Sequence, residues 1–103
     1  MEIIATLVDM IDDEVNGAKE YACWANKLKT TNPELAKTFY ELSTVEMGHM
    51  TTLHRQVKKL IVDSKAQNGE PPEGMMGMYE LLHKKHIECA AQVTIMQEEY
   101  NKN

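Results

Sequence analysis

All three prolines of this 103-residue chain fall in two short segments, Thr30-Thr31-Asn32-Pro33 and the stretch 67–74 (QNGEPPEG). A proline inside a helix loses a hydrogen bond and collides with the preceding turn, so any long regular element must lie between these breaks. The three stretches that remain repeat their inward positions every three or four residues, as a helix with one buried face does. In the first, about 2–30, the series is Ile4, Leu7, Ile11, Glu14, Ala18, Tyr21, Ala25 and Leu28. In the second, about 33–66, it is Leu35, Phe39, Leu42, Glu46, His49, Leu53, Gln56 or Val57, and Leu60. In the third, about 75–100, it is Met75, Tyr79, Leu82, His86, Cys89 or Ala90, Val93, Met96 and Tyr100. The spacing predicts an all-α fold, an antiparallel bundle of three helices. Asn32 is placed to cap the second helix and Pro33 to occupy its first position, and 67–74 reads as a polar loop.

At this length the chain is a single domain, residues 1–103. So short a domain buries a limited share of its surface, and association with further copies would help it. A hydrophobic content of 43% with 26% charged residues is that of a packed chain, not a disordered tail. The net charge of −5 opposes contact with phosphate backbones and argues against nucleic acid as a partner. No apolar run reaches membrane-spanning length, and the N-terminus lacks the basic-then-apolar pattern of a secretory signal. No membrane partner and a cytoplasmic location are therefore expected. Cys23 and Cys89 form no CxxC pair and are expected to be core thiols. Ser43 and Ser64 have no acid and base at a readable spacing, and the glycines sit in no phosphate-binding pattern.

Each helical seam is interrupted near its middle by a residue that can bind a metal. Glu14 lies 16 residues before Thr30, and Glu46 and His49 lie 13 and 16 residues after Pro33. At about 1.5 Å per residue, an antiparallel hairpin brings all three to one level, roughly 20–24 Å from the turn. His86 falls within about a turn or two of that height. Buried carboxylates are costly unless paired or bound to a cation, and Glu46-x-x-His49 is a chelating pair because residues three apart share a helix face. Carboxylates with one imidazole suit iron or manganese, with zinc also accommodated.

These residues resemble a known family. Glu14 followed seven residues on by Tyr21, and then Glu46-x-x-His49, looks like the first half of a ferritin-like di-iron site, closest to the rubrerythrin and encapsulated-ferritin groups. The local sequences EVNGAKEYACWA and VEMGHMTTL resemble the first- and second-helix patterns, and the likeness spans about residues 3–60. It implies a carboxylate-bridged di-iron centre with Glu14, Glu46 and His49 as ligands. Tyr21 would be a hydrogen-bond donor or redox neighbour behind them. The implied activity is oxidation of Fe(II) by oxygen or peroxide, an oxidoreductase reaction of the ferroxidase type.

The family pattern has four helices and a second Glu with a second Glu-x-x-His. This chain has three helices, and Glu80-x-x-His83 repeats the spacing near the loop end of the third. Two completions are open: a homodimer or larger homo-oligomer in which each copy gives Glu14, Glu46 and His49, or a site within one chain completed by His86. The dimer is preferred, because a two-fold interface repeats the same half-site on both sides. The absence of a CxxC pair leaves no rubredoxin-like metal site of the rubrerythrin type. The alternative is a non-enzymatic helical oligomerisation or protein-interaction module whose central Glu/His layer fixes register. Methionines such as Met47, Met50, Met75, Met76 and Met78 are assigned to core filling. His54, Asp12 and Asp13 are assigned to solvated faces, and Trp24 to an interface.

Overall fold

The computed structural model describes residues 2–71 and 73–102. It is a bundle of three helices, α1 (Glu2–Leu28), α2 (Pro33–Asn68) and α3 (Glu73–Asn101), with no strand among the described residues. The first break works by capping. The Asn32 side-chain oxygen accepts from the Leu35 N–H at 3.3 Å, and Pro33 stands at the start of α2. Residues 29–31 form a turn, so α1 stops at Leu28, short of Thr30.

The second break is tighter than the expected 67–74 loop. Gln67 and Asn68 continue α2, and Glu73 and Gly74 open α3. Gly69 ends α2 with φ 75°, a left-handed conformation that glycine reaches without a steric penalty, and its N–H donates to the Lys65 carbonyl at 3.0 Å. Pro72, part of the expected loop, lies outside the described residues, as do Met1 and Asn103.

The helix α1 packs closely along both others, whereas the α2 and α3 backbones approach each other sparsely. Along α1 and α2, Tyr21 meets Phe39, Glu14 meets His49, and Ile4, Val8 and Ile11 cluster with Val57. On its other flank α1 meets α3 through Asp12 and His86, Lys19 and Gln92, and Asn26 and the Met96 carbonyl. Longer side chains span from α2 to α3: Tyr40 stacks on Tyr100 at 4.7 Å, Gln97 reaches Ser43, and His54 stacks on His83.

This arrangement corrects the seams. With two neighbours, α1 buries two adjoining stripes, Ile4, Ile11, Ala18 and Ala25 beside Val8, Val15 and Ala22. Leu7, Glu14, Tyr21 and Leu28 are half-buried on the α2 side. On α2 the buried line runs through Ala36 and Ser43, one residue on from the expected Leu35 and Leu42, which are exposed, and of the two candidates Gln56 and Val57 it is Val57 that is buried. Small residues let two helix backbones come close, and the leucines beside them are left on the outer shoulder. The α3 seam stands as read, with His86 and Val93 buried. Cys23 and Cys89 are free and half-buried, not core thiols, and Met78 is exposed, not core-filling.

The resulting core is thin. Its largest fully buried side chains are Ile4, Ile11, Val15, Val93 and Ser43. At about 1.5 Å per residue the 36-residue α2 runs about 54 Å, the full length of a molecule measuring 55 × 17 × 17 Å. No helix among the described residues is long and apolar enough to cross a membrane.

Ser43 joins all three helices. Fully buried, its hydroxyl donates to the Ala18 carbonyl at 2.7 Å and accepts from the Gln97 amide at 2.9 Å. Ser43→Ala leaves the Gln97 amide without that acceptor, which costs about 1–2 kcal/mol. The expected drop in the thermal midpoint is roughly 4–8 °C per kcal/mol for a domain of this size, read by circular dichroism. A variant melting with the wild type would show that the junction contributes nothing.

Candidate metal centre

The one constellation of three or more metal-competent side chains among the described residues is Glu14, Glu46 and His49. Each contributes one ligand atom, and these atoms all lie within 4.8 Å of one another. The register set at Ser43 accounts for the meeting. Ala18 lies one turn after Glu14 and Ser43 one turn before Glu46, so pinning the first pair aligns the second.

The His49 Nδ1 lies 3.3 Å from the Glu14 Oε2. The Glu46 carboxyl rests over α1 at Gly17, where a Cβ added to the glycine would stand 3.7 Å from the Glu46 Oε2, an ordinary van der Waals contact. Two carboxyl groups so close cannot both ionise at their usual cost. The Glu46 carboxyl is raised above its ordinary value of 4.5, first by its hydrogen bond with Glu14, then by burial and the Glu14 charge, with His49 opposing. The site is open on one side: the His49 side chain is 56% exposed and that of Glu14 26%. Two carboxyl groups with an imidazole beside them form a hard, anionic donor set suited to iron or manganese.

The other expected ligands do not join this group. His86 is buried at 5% exposure on the opposite flank of α1, and its Nε2 lies 2.5 Å from the Asp12 Oδ1. That contact also overturns the assignment of Asp12 to a solvated face: its carboxylate is half-buried under α3. His83 turns to His54, and Glu80 is exposed on the wall of a neighbouring cavity. His54, expected to be solvated, is half-buried in that contact. Tyr21 stacks on Phe39 at 5.9 Å, two turns along α1 from Glu14, and makes no hydrogen bond among the described residues, so the expected donor role is not formed here. Trp24 lies 6.4 Å from the same Phe39 ring. The pairing of His54 with His83 had no signal in the periodicity, because it joins the shoulder of α2, not its seam, to α3.

Comparison with known proteins finds no matching family model, no matching curated sequence and no matching solved structure.

In the metal-free chain the raised Glu46 carboxyl holds its proton more tightly folded than unfolded. Its contribution to stability is present at acid pH and is lost as the pH rises through the folded value. Glu46→Gln removes that loss. The variant should melt above the metal-free wild type at pH 7, and the gap should close toward pH 4. A gap that is constant across this range would show that the two carboxyls do not interact.

Proposed function

We propose that this chain is an iron-binding protein of the ferritin-like type, with Glu14, Glu46 and His49 as the ligands of each copy, and that two copies bring two such half-sites together across a dimer. The observation that carries the reading is the gathering of two carboxylates and an imidazole, from two neighbouring helices, within 4.8 Å. Each residue has a definable task. Glu14 and Glu46 supply negative charge that offsets a divalent cation, which binds them in their deprotonated form. His49 adds a neutral nitrogen donor from the rim. Bound iron would supply the electron transfer to oxygen or peroxide that defines a ferroxidase-type reaction.

The surroundings of the site favour a dimer. On α1, Ile3, Met10, Gly17 and Trp24 recur every seven residues, and on α2 so do Leu35, Leu42 and His49. Seven residues are close to two helical turns, so each series forms one stripe. The two stripes border one groove, because Trp24 reaches Phe39 and Gly17 faces Glu46. All the large apolar members are exposed. The surface of 6917 Å² exceeds by roughly 1,000 Å² the area that scaling gives a compact monomer of this 11.8 kDa mass. A standard interface buries about 800 Å² per partner. A second copy laid on this face would cover the apolar stripes and bring its own Glu14, Glu46 and His49 toward the first set.

The alternative, an interaction module with a structural polar layer, is favoured by one fact: among the described residues no buried side-chain polar atom lacks a partner. One experiment separates the two. Protein purified without chelator or affinity tag and loaded with Fe(II) is analysed for metal and for mass in solution, beside Glu46→Ala and Leu42→Arg. About one iron per chain, absent from Glu46→Ala, together with a dimer that Leu42→Arg dissociates with loss of iron, is the expected result. No metal in the wild type after Fe(II), Mn(II) or Zn(II) would leave the layer structural.

A further inference from the structure

The chain has four histidines, and the carboxylate centre uses one. The other three, His54 on α2 and His83 and His86 on α3, all line two adjoining cavities of about 150 and 200 Å³ on the α3 side of α1. Apart from these imidazoles the walls are mostly apolar, with Ile11 common to both cavities. His83 and His86 are three residues apart and share a helix face. The His54 Nε2 lies 2.6 Å from the His83 Nδ1, with the rings stacked at 4.2 Å.

We propose that His54 and His83 are paired ligands of a second metal site, one that takes a borderline transition cation of the zinc class, with His86 as a third nitrogen donor. Nitrogens bound to one tetrahedral zinc at about 2.0–2.1 Å stand roughly 3.3 Å apart, so the ion enters as the stacked His54 and His83 rings part and turn until their in-plane lone pairs converge on it. The three nitrogens are not gathered within 4.8 Å as those of the carboxylate group are. The pair therefore makes the first two bonds, and His86 joins by a side-chain movement. Its orientation is already restrained: Asp12 holds the Nε2, which leaves the Nδ1 as the free ring nitrogen. A carboxylate behind a ligating imidazole is the usual support in metal sites.

The environment keeps the pair in its ligating form. Burial, then neighbouring positive charge, lowers the proton affinity of both His54 and His83 below the ordinary 6.5, and neutral imidazole is the species that coordinates. Lys58 from α2, Tyr79, Glu80 and His86 from α3 and Asp12 from α1 are the other titratable groups around it. Imidazoles without a carboxylate ligand suit zinc, nickel and copper, so the two sites differ in the metal each prefers. Because the α2 and α3 backbones approach each other sparsely, a metal here would clip α3 to α2.

The test uses the full chain and Cu²⁺ or Zn²⁺ alone. In His49→Gln the remaining imidazoles are those of this cavity. That protein loaded with one equivalent of Cu²⁺ should give an electron paramagnetic resonance spectrum with splitting from two or more nitrogens, and Zn²⁺ should raise its thermal midpoint. Adding His54→Gln and His83→Gln should weaken Zn²⁺ binding at least tenfold. A His49→Gln spectrum without imidazole splitting would overturn the proposal, and that arm leaves the cavity intact. Unchanged Zn²⁺ affinity in the double replacement would overturn it equally. Iron loading at Glu46 is indifferent to both results.

Discussion

The Ser43 hydroxyl, donating to the Ala18 carbonyl at 2.7 Å, sits where α1 and α2 come together through small residues. Ala18, Ala22, Ala25 and Ala36 are all buried, so the backbones approach closely and dispersion contacts replace the bulk of a leucine core. A hydroxyl in such a seam must be satisfied, since an unpaired buried polar group costs about 1–3 kcal/mol. A shift of α2 along α1 by a single turn would break this bond and leave Gln97 without its partner. Register is thus fixed at a position with little apolar area to contribute, and the carboxylates one turn away are aligned by the same contact.

Placing α1 between the other two helices divides the polar chemistry between its flanks. Toward α2 it carries Glu14; toward α3 it carries Asp12, two residues earlier. Residues two apart on a helix do not face each other, so these acidic groups serve separate partners. Glu14 meets a second carboxyl and an imidazole at an open rim, within reach of solvent. Asp12 meets a buried imidazole, where the pair replaces water for both groups. One short acidic run therefore yields a hard anionic cluster on one side and a restrained histidine on the other.

Much of this was legible in the chain. The two proline-containing breaks mark the helices to within two residues at each end, and the similar distances of Glu14, Glu46 and His49 from the first turn place them at nearly one level. What periodicity misread has a physical cause. A seam read by hydrophobicity prefers Leu35 and Leu42 to Ala36 and Ser43, yet close helix packing selects the small residues and leaves the large ones on the shoulder. The shift of one position moves His49 to the rim and, on the other shoulder of α2, turns His54 toward α3. Asp12 and His86 were unreadable as a pair because they lie 74 residues apart and neither sits opposite the other until α3 is docked.

The same shift bears on assembly. Had Leu35 and Leu42 filled the core, the α1–α2 face would be polar and His49 enclosed. Instead the leucines join Ile3, Met10 and Trp24 around an imidazole that is more than half exposed. Three donors at a solvent rim leave the coordination shell of a transition cation open, and apolar side chains at the same rim are costly in water. A second copy on this face would answer both conditions at once. The apolar area would supply the association energy that three weakly buried side chains lack, and a bound cation would supply the specific register that a flat apolar face lacks. Ligand affinity and dimer affinity would then be linked, each raising the other by the same factor, as linkage requires of any two equilibria that share a state.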